Sequence, residues 1–281
     1  MSACVTTAVA LDLIAATAVV GPPRRLAIYY GYPSLVDGSA GDVARAVRSF
    51  AVYDAVVLGD GLELGRESAD AGLRAEYARL TQMVPALHAT SRKPRIWGYV
   101  DLGRSQQLAG EAIVRRIDAW RRLGVDGIFF DEAGRDFGVT PARRSFAVRA
   151  AHERRLSAFM NAFDPNDLFE GWTRSRAADP GALGSRDALL IESFAVREGV
   201  RQADEAMAKR TTDALVWRTR TGIQLFATTT TVGAFDAAAF DFAWRQAASL
   251  RLDGFGWGEP HFSADSQLPW RERPSEERNA K

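Results

Sequence analysis

The sequence is poor in the side chains on which metal and nucleophile chemistry is usually built. Its single cysteine, Cys4, excludes an intramolecular disulfide and any cysteine-rich zinc site. The three histidines, His88, His152 and His261, are scattered, and only His261 falls just past the end of an apolar run, which excludes a three-histidine metal centre. Three lysines, Lys93, Lys209 and Lys281, stand beside 33 arginines, and no lysine closes a strand-like run. There is no GxSxG elbow, no P-loop and no GxGxxG turn, so a serine hydrolase and a nucleotide-binding open sheet both lack their signatures. A net charge of +1 leaves no global field to attract nucleic acid or an anionic membrane.

Long apolar runs are also missing, apart from the first twenty residues, MSACVTTAVALDLIAATAVV. No lysine or arginine precedes that run and Asp12 interrupts it, which makes it a poor secretory signal and a costly membrane span. Residues 1–25 read as a leader that ends at Gly21-Pro22-Pro23-Arg24-Arg25, and no stable membrane insertion is expected. So weak a leader points to the cytoplasm. Residues 267–281, QLPWRERPSEERNAK, have no apolar period and read as a polar tail. Nothing in the chain specifies an oligomeric state.

What the sequence does contain is one theme repeated across residues 26–266. A short apolar run ends in polar residues, and a helical pattern follows. The runs are LAIYYGY (26–32), AVVLGD (55–60), RIWGYVD (95–101), GIFFDE (127–132), LSAFMNA (156–162), ALLIES (188–193), IQLFAT (223–228) and GFGWGE (254–259). Each is almost uncharged until its last residues, as expected of strands covered on both faces. Between them, Leu73, Tyr77, Leu80, Val84 and Leu87 share one helical face, as do Ile113, Ile117 and Trp120 before the stop signal Gly124. Thr140-Pro141 opens another helix, and Phe240, Trp244, Ala247 and Leu250 stripe the last. LGVDGIFFDE (123–132) is echoed by LRLDGFGWGE (250–259), half the series apart. Eight strand–helix units in about 250 residues predict an α/β chain folded as a single (β/α)8 TIM barrel.

In such a barrel, chemistry sits at the carboxyl ends of the strands. The polar residues that close the runs are Tyr30, Tyr32, Asp60, Tyr99, Asp101, Asp131, Glu132, Asn161, Glu192, Trp257 and Glu259. Asp126 and Asp253 fall at the other end, where they read as caps on the turns into strands four and eight. Asp131 and Glu132 are consecutive, so both reach the mouth only if the chain bends there. Glu192 ends LLIE two strands further round. A carboxyl at the edge of an apolar floor, with like charges nearby, holds its proton to higher pH, while one in a polar position stays ionised. That split is what glycoside hydrolysis requires. Any one of these acids equally suits a helix cap or an arginine partner, and Asp60 and Asp101 fit those roles as well as a ligand role. Tyr99 likewise suits the core. Three acids on one rim are what point to catalysis.

GVDGIFFDEAG (124–134) resembles the spherulin-four family of glycosidases and, more distantly, endo-α-1,4-polygalactosaminidase-like barrels. IYYGYPS (28–34), VVLGDGLE (56–63), WGYVDLG (97–103), NAF (161–163) and IESF (191–194) follow in the same order. The resemblance implies a (β/α)8 hydrolase of a galactosamine-containing polysaccharide, with no metal or other cofactor. It carries the family's strand-four acids onto Asp131 and Glu132 and its strand-six acid onto Glu192. Such enzymes are usually exported, against the reading of the leader. The expected catalytic pair is Asp131 and Glu192 with Glu132 assisting, Glu192 as proton donor and Asp131 as nucleophile or electrostatic partner, roles that could be exchanged. Tyr30, Tyr32, Asp60, Tyr99, Asp101, Asn161, Trp257 and Glu259 are the expected sugar contacts. Two other readings stay open. One is a sugar-binding barrel without turnover. The other is a lyase or isomerase holding Mg²⁺ on Asp131, Glu132 and Glu192.

Overall fold

A computed structural model describes residues 21–59, 61–202, 204–233, 235–258 and 262. The leader up to residue 20, Asp60, Glu259, His261 and the tail therefore lie outside the described residues. Eight parallel strands close into one barrel: β1 (Arg24–Tyr29), β2 (Ala55–Leu58), β3 (Arg95–Asp101), β4 (Gly127–Asp131), β5 (Ser157–Asn161), β6 (Ala188–Ile191), β7 (Gln224–Thr228) and β8 (Gly254–Gly256), with β8 returning to β1. All eight fall within the apolar runs of the sequence, except that β1 begins at Arg24, two residues earlier. The chain is a single (β/α)8 TIM barrel.

Among the described residues, six α-helices pack outside it: α1 (Val43–Phe50), α2 (Ala71–His88), α3 (Gly110–Leu123), α4 (Pro141–Glu153), α5 (Asp204–Thr221) and α6 (Ala237–Ser249). Their ends follow the sequence signals. The Thr140 hydroxyl accepts from the Arg143 amide, and Gly124 ends α3 in the left-handed region at φ 87°. Between β5 and β6 no α-helix forms. That segment turns through two short 3-10 stretches, Pro165–Phe169 and Arg174–Arg176, in keeping with its prolines at 165 and 180 and glycines at 171, 181 and 184.

Side chains alternate along each strand, so the barrel has two cores. The outer core lies between strands and helices. The inner one holds Leu26, Ile28, Val57, Trp97, Tyr99, Phe129, Phe159, Leu190 and Phe226. Phe159 is its centre, with ring centroids 5.2 Å from Phe129, 5.2 Å from Phe226 and 5.3 Å from Trp97. The outer packing is equally close. A Cβ on Gly98 of β3 would sit 2.0 Å from the Trp120 ring of α3, so only glycine lets the helix approach there.

At the amino-terminal end, four aspartates repeat one device. Asp54, Asp126, Asp187 and Asp253 each precede an even-numbered strand. Their carboxylates accept, at 2.8 Å, the amides of Arg25, Ile96, Ala158 and Leu225 in the strand before. Their carbonyls accept the amides of Arg95, Ser157, Gln224 and Arg24, which open the strand after. Each aspartate thus ties three strands together with charge-assisted bonds. Arg24 and Arg95 lie across this end, 4.8 Å over Phe226 and 4.6 Å over Trp97. No helix among the described residues is long and apolar enough to cross a membrane.

Candidate active site

The inward parity that fills the barrel continues to its carboxyl end. From Trp97 and Tyr99 it runs to Asp101, from Phe129 to Asp131, from Phe159 to Asn161 and from Leu190 to Glu192. Four polar side chains therefore end adjacent strands above an aromatic floor. Asp101 and Asp131 are register partners in β3 and β4.

Asn161 joins the two expected catalytic acids. Its amide nitrogen donates to Asp131 Oδ1 at 2.8 Å and to Glu192 Oε2 at 2.8 Å. Two oxygens that share one donor cannot be further apart than twice that length, so the carboxylates face each other across a single amide. Asp131 also accepts the Glu132 backbone amide at 2.9 Å and a hydrogen bond from the Tyr99 hydroxyl. Burial pushes the Asp131 carboxyl above its ordinary pKa. The bonds from Asn161, the Glu132 amide and Tyr99 pull it back, and the Glu132 charge adds to the rise. Burial likewise raises Glu192. Its bond from Asn161 lowers it, the Asp131 charge raises it, and the Arg210 and Arg197 charges lower it.

The chain does bend after Asp131. Glu132 lies at φ 51°, and its carboxylate turns to the β3–α3 loop, accepting the Ser105 amide at 3.1 Å and the Ser105 hydroxyl. Gly103 is the residue that permits this, since a Cβ there would lie 2.2 Å from Glu132 Oε2. Glu132 thus anchors a loop at the edge of the site and does not face Glu192 through Asn161 as Asp131 does. Beyond Glu192 the chain again adopts left-handed residues, Ser193 at φ 55° and Ala195 at φ 58°, and forms a small hairpin of Val196–Arg197 with Val200–Arg201. The Ser193 hydroxyl meets that of Thr230 at 2.9 Å.

These residues line a cleft of ≈ 410 Å³ that contains Asp131, Glu132, Asp136, Asn161, Glu192 and Glu198. Phe137, Phe163, Arg197, Arg210 and Thr230 complete its walls. The volume lies in the range of small-molecule sites. Five carboxylates stand against two arginines, so the cleft carries an excess of negative charge. Among the described residues, no group of three or more His, Cys, Asp or Glu side chains is arranged to hold a metal ion.

The remaining expected contacts divide. Tyr99 forms the floor under Asp131, and Tyr30 packs edge-on against it at 5.3 Å. Asn161 is present, but its amide protons are engaged by the two acids. Asp101 is 1% exposed and is not among the cleft-lining residues. Tyr32 is exposed at the turn after β1 and is not among the cleft-lining residues. Trp257 is a correction. It is 5% exposed and packs in the outer core, 5.4 Å from Phe235 and 6.0 Å from Phe240 of α6, because it follows Gly256 with outward parity. Asp60 and Glu259 lie outside the described residues. Sequence reasoning missed Asp136, Phe137, Phe163, Arg197, Glu198 and Arg210, which sit on loops, a short 3-10 turn, the hairpin or a helix beyond the barrel strands. Nothing distinguishes Arg210 among 33 arginines.

Compared with protein-family models and with curated proteins, the sequence finds no match. Among solved structures, the chain is similar to the glycoside hydrolase domain of PelA from Pseudomonas aeruginosa. The identity is 14% over 88% of this chain and 100% of that one, with a TM-score of 0.50. It is similar to a GH10 endoxylanase retrieved from sugarcane soil metagenome, at 10% identity over 85% of each chain and a TM-score of 0.50. An HpcH/HpaI aldolase/citrate lyase family protein from Burkholderia cenocepacia aligns at 12% identity over 92% of this chain and 94% of that one, with a TM-score of 0.49. Likeness at these identities is likeness of the barrel.

Proposed function

We propose that the chain is a glycoside hydrolase that cleaves a galactosamine-containing polysaccharide with retention, using Asp131 and Glu192. The observation that carries this reading is the shared Asn161 amide, 2.8 Å from both carboxylates. The two bonded oxygens can lie no further apart than twice 2.8 Å, which supports the short separation of retaining pairs, about 5–5.5 Å, over the roughly 6.5–9.5 Å that leaves room for water in inverting ones. The hydrogen bonds divide the roles. Asp131 accepts from Asn161, the Glu132 amide and Tyr99, which favour its anion, whereas among the described residues Glu192 has the shared Asn161 donor alone and is pushed up by burial and by Asp131, against the pull of the Arg210 and Arg197 charges. Glu192 therefore carries the proton and gives it to the departing glycosidic oxygen while an Asp131 oxygen bonds to the anomeric carbon. The Glu192 carboxylate then takes a proton from water, whose oxygen displaces Asp131 from that carbon.

The excess of acids in the cleft suits protonated amino sugars and supports the substrate class that the family resemblance implies. The two hydrolase-fold neighbours are compatible with this reading. The Mg²⁺ reading needs Glu132 beside Asp131 and Glu192, yet its carboxylate is engaged by Ser105. Incubation with deacetylated galactosaminan, and with xylan as a neutral comparison, tests the assignment by release of reducing ends. Asp131→Asn and Glu192→Gln should each lower kcat by a factor on the order of 10²–10⁴. Full activity in either variant rejects the pair. Binding with no product from the wild-type protein favours the non-hydrolytic barrel.

A further inference from the structure

The cleft holds an apolar group that this chemistry does not use. Phe163, two residues past Asn161, is 56% exposed and lines the cleft with Asp131 and Glu192. Single exposed phenylalanines are commonplace on surfaces. This one, however, is braced. The Arg210 guanidinium of α5 lies 4.6 Å from its ring centroid, and the same guanidinium donates to the Glu192 carbonyl oxygen. Arg210 is half-buried, and its bond to the Glu192 backbone carbonyl, which does not depend on the charge of the Glu192 side chain, holds the cation against the ring. One side of the phenyl is thus occupied by the arginine, while much of the ring stays open to the cleft. Packing does not account for the arrangement, since the exposed ring covers little.

An aromatic face is electron-rich, and a pyranose ring presents polarised C–H groups on its apolar side. We propose that Phe163, held by Arg210, is the platform on which one sugar ring of the substrate stacks beside Glu192. This rests on the glycosidase reading in taking a sugar as ligand, but it does not depend on turnover. Phe163 is a binding residue and Arg210 a positioning residue acting through it.

The test is calorimetric titration of a galactosamine tetrasaccharide, with xylotetraose as second probe, into full-length Glu192→Gln protein with and without changes at Phe163. Phe163→Ala should weaken binding about tenfold, the scale of one aromatic stack, and Phe163→Trp should restore it. The melting temperature of Phe163→Ala should match its parent, because the ring is exposed. Equal affinity with and without the ring, or no binding of either probe by the parent, overturns the platform. The two proposals separate in the wild-type background. Binding that depends on Phe163 without release of reducing ends refutes hydrolysis and leaves the platform standing. Hydrolysis with a KM untouched by Phe163→Ala refutes the platform and leaves hydrolysis.

Discussion

The most revealing substitution is Asn161→Leu, which keeps the branched shape of the side chain and removes the donor shared by both acids. Each bond to a charged acceptor contributes about 1.5–3 kcal/mol. Asn161 makes one to Asp131 and one to Glu192, both at 2.8 Å. Ionising the second carboxyl of the pair in the variant forfeits one such bond while the repulsion between the acids persists. At 1.36 kcal/mol per pKa unit, the upper pKa of the pair should rise by about 1–2 units. The sign is fixed, because losing a donor to the anion always favours the protonated form. Two assays read it. Carbon-13 titration of the carboxyls follows the pair with no substrate present, and the alkaline limb of kcat/KM follows the loss of the Glu192 proton. Both should move upward together, and kcat at the optimum should fall by roughly 10²-fold as the nucleophile loses its fixed position. Superimposable titrations of wild type and variant would show that Asn161 does not couple the two acids, and the role assignment would fail with it.

Stability and packing supply two further predictions. The raised pKa of Glu192 means that the folded chain keeps a proton over a pH window in which the unfolded chain, ionising near pH 4.3, has lost it, so this stabilising contribution is complete below about pH 4 and declines as pH rises through the folded pKa. Glu192→Gln should therefore raise Tm at neutral pH by about 2–4 °C, with the gain vanishing below about pH 4, and a gain independent of pH in thermal scans would refute it. In the outer core, Gly98→Ala places a methyl 2.0 Å from the Trp120 ring, whose indole nitrogen is held 2.9 Å from the Tyr99 carbonyl. It should cost at least about 1–3 kcal/mol, seen as a lower urea midpoint, and an unchanged midpoint would contradict that packing.

The barrel could be read from sequence because its cause is local. Apolar runs of strand length, helical stripes and stop signals each lie within a few neighbouring residues, and their eightfold order leaves few topologies. The acids that close the runs could be named from sequence, but which of them turn inward followed only once the structure placed Phe129 and Leu190 inside. The echo of Val125-Asp126-Gly127 in Leu252-Asp253-Gly254 was visible too. Its other two members, at Asp54 and Asp187, were hidden because alanine follows them instead of glycine.

Wherever a residue's role depended on partners in another segment of the chain, local pattern was silent. Asn161 spans 30 positions to Asp131 and 31 to Glu192, Glu132 turns to Ser105 across 27, and Arg210 crosses from a helix to a strand end. Trp257 looked like a rim residue until α6 covered it. One-dimensional order decided which strands and acids exist. Closure of the barrel decided which of them touch, since contact between distant segments depends on the shape that all eight strands make together.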